Sequence, residues 1–150
     1  MWKNLIKRVF DALRGGTNNK TGQANNEIWG FTYEELDILN RIAWAEAGCE
    51  DEKGIILVIN VIINRLRDPR FPSTVREVVY QENQFEPTRN GAMERAVPDE
   101  KTIGAVRRAL RGEDYSRGAT FFRTVKGADG SWHERNLKKL FDHGGHRFYA

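Results

Sequence analysis

Apolar positions recur with a helical period over two consecutive stretches, Thr32 to Ala47 and Lys53 to Arg67. In the first, Leu36, Leu39, Ala43 and Glu46 follow one another at three- and four-residue steps, so a carboxylate falls on the apolar stripe of the helix. In the second, the run IILVINVII is the most hydrophobic of the chain; it is broken by Asn60 and closed by Asn64. Its Ile and Val content would suit a buried strand, but Glu52 to Arg67 is long for a strand and holds no turn signal. The spacing predicts a buried helix with Asn60 and Asn64 one turn apart on a shared face. Buried amides require partners, and the preferred reading is that these two hold a neighbouring loop through its backbone. Asn64 is also a candidate for direct substrate contact.

Local signals bound these elements. Thr32-Tyr-Glu-Glu35 reads as a capping box that starts the first helix, and Gly48 is where it stops. After Arg67 the turn-rich DPRFPST leads into a short helix capped by Ser73 or Thr74 and running to Tyr80. Gln81 to Val97 has no period and reads as a binding loop. Between Asp99 and Gly112, Ile103, Val106, Ala109 and Leu110 specify another helix, with Arg107, Arg108 and Arg111 towards solvent. The aromatic and glycine-rich tail from Gly118 predicts short extended segments, with a hairpin around Lys126 to Gly130.

At the other end, Trp2, Leu5, Ile6, Val9, Phe10 and Leu13 form an apolar stripe opposite Lys3, Lys7, Arg8 and Arg14. Residues 1–14 therefore read as a basic amphipathic helix suited to an anionic membrane surface, a protein partner or its own domain. The stretch has neither the continuous apolar core nor the cleavage site of a secretory signal, and is too short and charged to span a bilayer. Residues 15–26, rich in Gly, Asn and Thr, read as a flexible linker, leaving residues 27–150 as one domain.

Composition narrows the class without naming it. In 150 residues, 39% hydrophobic and 11% aromatic, there is material for one core and no comfortable second. A net charge of +3 gives only a mild preference for polyanions. With Cys49 alone no intramolecular disulfide can form, which excludes a disulfide-stapled scaffold, and a half-buried residue at a helix end is the simpler reading than a nucleophile. His133, His143 and His146 lie near Glu134 and Asp142, but the His143-Gly-Gly-His146 pair has no rigid scaffold and no accompanying base, so no metal or other cofactor is expected. Scattered arginines without a recognition motif point away from nucleic acid.

The chemistry centres on Glu46. Desolvation on an apolar face and the negative end of a helix dipole both raise a carboxyl pKa, and a Glu protonated near neutral pH is a general acid. Such a donor commonly works beside a second carboxylate of different pKa. Glu50 and Glu86 are both candidates for that second group.

Ala45-Glu46-Ala47, Glu50, Asn64-Arg65, Phe71-Pro72-Ser73-Thr74 and Gln84-Phe85 stand in the order and spacing of the cell-wall hydrolases of the SleB/CwlJ type, which this chain resembles. Ala109-Leu110, Gly112, Gly118-Ala119 with Phe122, and Gly145-His146 with Phe148-Tyr149 are similar to that family's later landmarks, so the resemblance runs from about Leu36 to Tyr149. One departure is Cys49, where family members usually have Gly before the second Glu. The resemblance implies an α+β, mainly α-helical, lysozyme-like catalytic domain with a small irregular or β-containing appendage. It implies action on peptidoglycan glycan strands, in a cell wall or spore cortex, by a lytic transglycosylase reaction with Glu46 as acid and then base; the chain is expected to be a monomer. Muramidase or glucosaminidase hydrolysis, or an inactive glycan-binding module, are the alternatives. Glu50, Asn64, Tyr80, Gln84, Phe85, Glu86, Phe122 and His146 are the expected substrate-facing residues, with Gln84 to Glu86 on the groove wall opposite Glu46. With no secretory signal read at the N-terminus, access to the wall is expected through spore-coat assembly, phage-type release or another export route.

Overall fold

The computed structural model describes residues 27–28 and 30–150; the amphipathic stripe of residues 1–14 and the linker of residues 15–26 lie outside the described residues. Strands β1 (Glu27–Ile28) and β2 (Phe31–Thr32) pair antiparallel and lead directly into helix α1 (Tyr33–Ala47). The capping box is formed: Thr32 Oγ1 accepts from Glu35 N at 3.2 Å, and Thr32 N donates to Glu35 Oε2 at 2.8 Å. Two orphan donors at the helix start are thus satisfied reciprocally.

Helix α2 (Glu52–Arg67) begins at the N-cap Asp51, whose Oδ1 accepts from Gly54 N at 2.7 Å. From Gly54 to Ile62 every residue of α2 is buried, because α1, α5 and the sheet enclose it together. Enclosure on all sides is why its sequence lacks a polar face. Each fully buried Ile, Leu or Val here contributes roughly 1.5–3 kcal/mol. Helix α3 (Val75–Val79) is capped by Thr74, and α5 (Glu100–Leu110) by Asp99, as the sequence pattern predicts.

The segment from Gln81 to Val97 is not wholly irregular. It contains a 3₁₀ turn (Glu86–Thr88) and a one-turn helix α4 (Ala92–Arg95). Arg41 of α1 ties it down by donating to Met93 O and Ala96 O, both at 3.2 Å.

The tail forms a three-stranded antiparallel sheet in the order β3 (Phe121–Thr124), β5 (His146–Tyr149), β4 (Lys139–His143). Phe122 and Phe141 are both register partners of Phe148, so three rings cross the sheet on one face, at 5.8 and 5.0 Å between centroids. That face packs on Leu57 and Val61 of α2. The opposite face carries Phe121, Arg123, Arg147 and Tyr149 beside the short helix α6 (Trp132–Asn136).

The hairpin expected around Lys126 to Gly130 is displaced to Gly144–Gly145, which join β4 to β5. Ser131 explains the difference: its Oγ accepts from Glu134 N at 3.3 Å and caps α6, so the preceding Gly127 and Gly130 turn the chain into a helix instead of a second strand.

Candidate active site

Glu46 lies on the last turn of α1, half-buried, on the stripe shared with the fully buried Leu39, Ile42 and Ala43. Burial, and secondarily the charge of Glu86, push its carboxyl up to about 7. The last turn of α1 holds no basic residue of its own. Lys101 of α5 supplies a cation instead, but its Nζ donates to the carbonyls of Gly48 and Glu50, each at 2.9 Å. The ammonium therefore fixes the turn after Glu46, and no carboxylate pairs with it among the described residues. Glu46 thus stands at a helix C-terminus, partly desolvated and without a counter-ion, the arrangement that keeps a carboxylic acid protonated towards neutral pH.

Glu50 is held elsewhere. Its Oε1 accepts from Gly145 N at 3.0 Å, and a Cβ placed on Gly144 would run into its carboxylate. Gly144 also has φ +52°, so this turn needs glycine for both conformation and space. Next to it, Asp51 Oδ1 meets His143 Nε2 at 2.8 Å, and the His143 and Gly54 bonds hold the Asp51 carboxyl below its ordinary value. The β4–β5 turn thus clasps the α1–α2 connection. His146 packs edge-on to Phe122 at 5.1 Å, and its burial lowers its pKa while the Glu50 charge opposes that shift.

The remaining sequence candidates separate. Glu86 is exposed at the start of the 3₁₀ turn and close enough for its charge to act on Glu46. Gln84 is half-buried beside it, and Tyr80 is 42% exposed at the end of α3, with Arg76 5.6 Å from its ring centroid. Phe85 does not line a groove wall: at 2% exposure it is core, tilted against Phe122 at 5.9 Å. Its buried ring anchors the loop and turns Glu86 outward.

Asn64 is likewise committed to the fold, donating from Nδ2 to Ser116 Oγ and Ala119 O, both at 2.8 Å. Asn60 donates to Glu113 O at 2.9 Å and accepts from Tyr115 N at 3.1 Å, so the two amides hold the 113–119 loop as expected. Asn64 also borders a cavity of about 580 Å³ with Phe31, Glu35 and Arg67, and Glu46 is not among its lining residues. Glu35 is in the first turn of α1 and Glu46 in its last, so that cavity belongs to the other end of the helix.

Three contributors escape the sequence reading: Lys101, the Asp51–His143 pair and the Gly144–Gly145 turn. Asp51 carries a legible signal, an N-cap three residues before Gly54. The others meet their partners only through the fold.

No helix among the described residues is long and apolar enough to cross a membrane. The fold matches the catalytic domain of the Bacillus cereus SleB protein with TM-score 0.73 at 23% identity, over 87% of this chain and 100% of that one. It also matches the catalytic domain of the germination-specific lytic transglycosylase SleB from Bacillus anthracis, with TM-score 0.72 at 23% identity, over 81% and 98%. In sequence the chain is 32% identical over 110 residues to the spore cortex-lytic enzyme of Halalkalibacterium halodurans, covering 73% of this chain and 33% of that protein. It is 37% identical over 87 residues to the cell wall hydrolase CwlJ of Bacillus subtilis, covering 55% and 60%. The chain thus spans less than two thirds of either relative. The cell wall hydrolase family model matches residues 49–149, beginning three residues after Glu46. The fold is that of the lysozyme-like SleB catalytic domain, and the chain belongs to the cell wall hydrolase family.

Proposed function

We propose that this chain cleaves the MurNAc–GlcNAc backbone of peptidoglycan as a lytic transglycosylase, with Glu46 as general acid and then general base. The observation that carries the reading is the half-buried carboxyl of Glu46 at the end of α1, raised to about 7 by burial and by the charge of Glu86. Protonated, it delivers its proton to the glycosidic oxygen as the bond to the anomeric carbon breaks. The resulting carboxylate takes the proton of the 6-hydroxyl of the same sugar as that oxygen closes on the anomeric carbon. A tethered hydroxyl has a large effective-concentration advantage over water, so a single Glu suffices. The similarity to the catalytic domain of the germination-specific lytic transglycosylase SleB supports this reading.

One observation favours a second reading. Glu86 acts electrostatically on Glu46, which supports it over Glu50, engaged by Gly145, as the carboxylate that would activate a water in a hydrolytic muramidase. Mass spectrometry of digested peptidoglycan separates the two. Muropeptides ending in 1,6-anhydro-N-acetylmuramic acid, one water lighter and not reducible, are expected. Reducible muramic acid ends would assign hydrolysis with Glu86 as base, and reducible glucosamine ends would move the cut to the other bond. Intact glycan would leave a binding module.

A further inference from the structure

Among the described residues, seven buried side-chain nitrogen or oxygen atoms have no hydrogen-bond partner, and four of them gather around Phe121: Arg65 Nη1, Thr120 Oγ1, Arg123 Nε and His133 Nδ1. Arg65 is 3% exposed and is held by one side-chain bond, from Nε to Thr120 O at 2.7 Å. Its guanidinium lies 5.0 Å from the ring centroid of Phe71, 4.9 Å from Phe121 and 5.5 Å from Phe85, with no carboxylate paired to it. Such a buried, uncompensated cation is costly, and burial lowers its pKa to about 10.

Arg123, two residues after Phe121 and so on the same strand face, makes no side-chain hydrogen bond or ion pair among the described residues. His133 feels both arginines: burial first, then the charges of Arg123 and Arg65, lower its pKa. The nearby acids are taken, since Glu134, Asp129 and Asp142 all pair with Arg147. Over this group Trp132 is 53% exposed, its ring 6.3 Å from that of Phe121. Two cations without counter-ions beside an exposed aromatic ring make a site for an anion carried on a body that can stack.

We infer that Arg123, together with the buried Arg65 and the rings of Phe121 and Trp132, forms a subsite that takes a carboxylate of the peptide side chain on a peptidoglycan strand. This rests on the peptidoglycan reading above, which supplies a polymer bearing both sugar faces and peptide carboxylates. The subsite adjoins the reaction site through one ring: Phe85 touches Arg65 on one side and Phe122 on the other, and it immediately precedes Glu86.

The test compares wild type, Arg123→Ala and Arg123→Lys on peptide-bearing peptidoglycan and on the same glycan stripped of its peptides by an amidase. A hydrogen-bonded charge pair lost at this site is worth about tenfold. The ratio of kcat/KM on peptide-bearing to stripped strands should therefore fall about tenfold in Arg123→Ala and recover in part in Arg123→Lys. An unchanged ratio overturns the subsite, whatever happens to turnover itself. An NMR titration of the whole chain with an N-acetylated stem tetrapeptide, and with its fully amidated form, decides the matter even if wild type cleaves neither polymer. The acid form should move the Trp132 indole resonance and the amide form should not; equal responses would also overturn the inference. Loss of cleavage of both polymers by wild type would strike the reaction reading alone.

Discussion

The two ends of this small domain use carboxylates in opposite ways. On the outer face of the sheet, Arg147 reaches Asp142 at 2.8 Å, Glu134 at 2.8 Å and Asp129 at 2.9 Å, and Tyr149 donates to Glu134 at 2.9 Å. Pairing with Arg147 holds the carboxyls of Glu134 and Asp142 below their ordinary values, and α6 and β4 are thereby fixed to β5. At the end of α1, Lys101 donates to two backbone carbonyls, and burial, followed by the charge of Glu86, takes Glu46 up to about 7. A carboxylate with its counter-ion holds structure together; one that is buried beside another acid keeps a proton to give. The difference lies in the surroundings, a guanidinium in one case and an apolar stripe with a second acid in the other, not in the acid itself.

Removing the unpaired carboxyl should have the largest effect. Glu46→Gln keeps shape and removes the transferable proton, so cleavage of peptidoglycan should fall roughly a thousandfold or more, while circular dichroism shows an intact fold. Near wild-type turnover would end the assignment of Glu46 as acid.

Stability should record the same group. Glu46 has a folded pKa of about 7 against 4.5 for the unfolded chain, so between these values the folded state binds the extra proton. Its contribution is fully present below pH 4.5 and is lost as pH rises through about 7. The loss is on the order of 3 kcal/mol. Denaturant midpoints measured at pH 5 and pH 8 should differ accordingly in wild type beyond the difference in Glu46→Gln, and parallel pH dependences in the two proteins would refute the raised pKa.

Much of this is legible in the sequence. The helices follow from period and caps: Thr32 caps with Glu35 as the pattern requires, Thr74 is one of the two caps it offers with Ser73, and the last long helix starts after Asp99 as its period places it. Glu46 was legible because a charge on an apolar stripe is a local anomaly. Phe85 was not, since an aperiodic loop does not say which ring turns inward, and it was expected on the groove wall. The sheet hairpin was misplaced because Gly127 with Gly130 and Gly144 with Gly145 give equal turn signals, and Ser131 decides between them by capping a helix with no buried face. The choice between Glu50 and Glu86 beside Glu46 depends on distances across the fold, which no spacing encodes.

Breaking the sheet side should leave the reaction largely alone. Arg147→Met strips Glu134 of its cation, leaves Asp142 with Lys139 alone, and should lower the melting temperature, most visibly at neutral pH where both acids are charged. Turnover of peptide-stripped strands per folded molecule should stay within about threefold of wild type, because separate networks act nearly independently. A displaced alkaline limb of the pH–activity profile in this variant would mean that the two ends are coupled.

The finest test converts one end into the other. Glu86 is the second cause of the high Glu46 pKa, after burial, so the alkaline limb of kcat/KM reports on both. Glu86→Gln removes only the like charge. The limb should move to lower pH by a fraction of the whole rise, because the burial that dominates it is untouched. Glu86→Lys goes further by placing near Glu46 the cation it lacks, and the limb should move further in the same direction, with activity near pH 7 lost as Glu46 ionises. If Glu86 serves instead as the base of a hydrolase, both substitutions should abolish turnover at every pH rather than shift the limb. The order wild type, Gln, Lys in the position of that limb is therefore the outcome that keeps a single acid at the centre of the site.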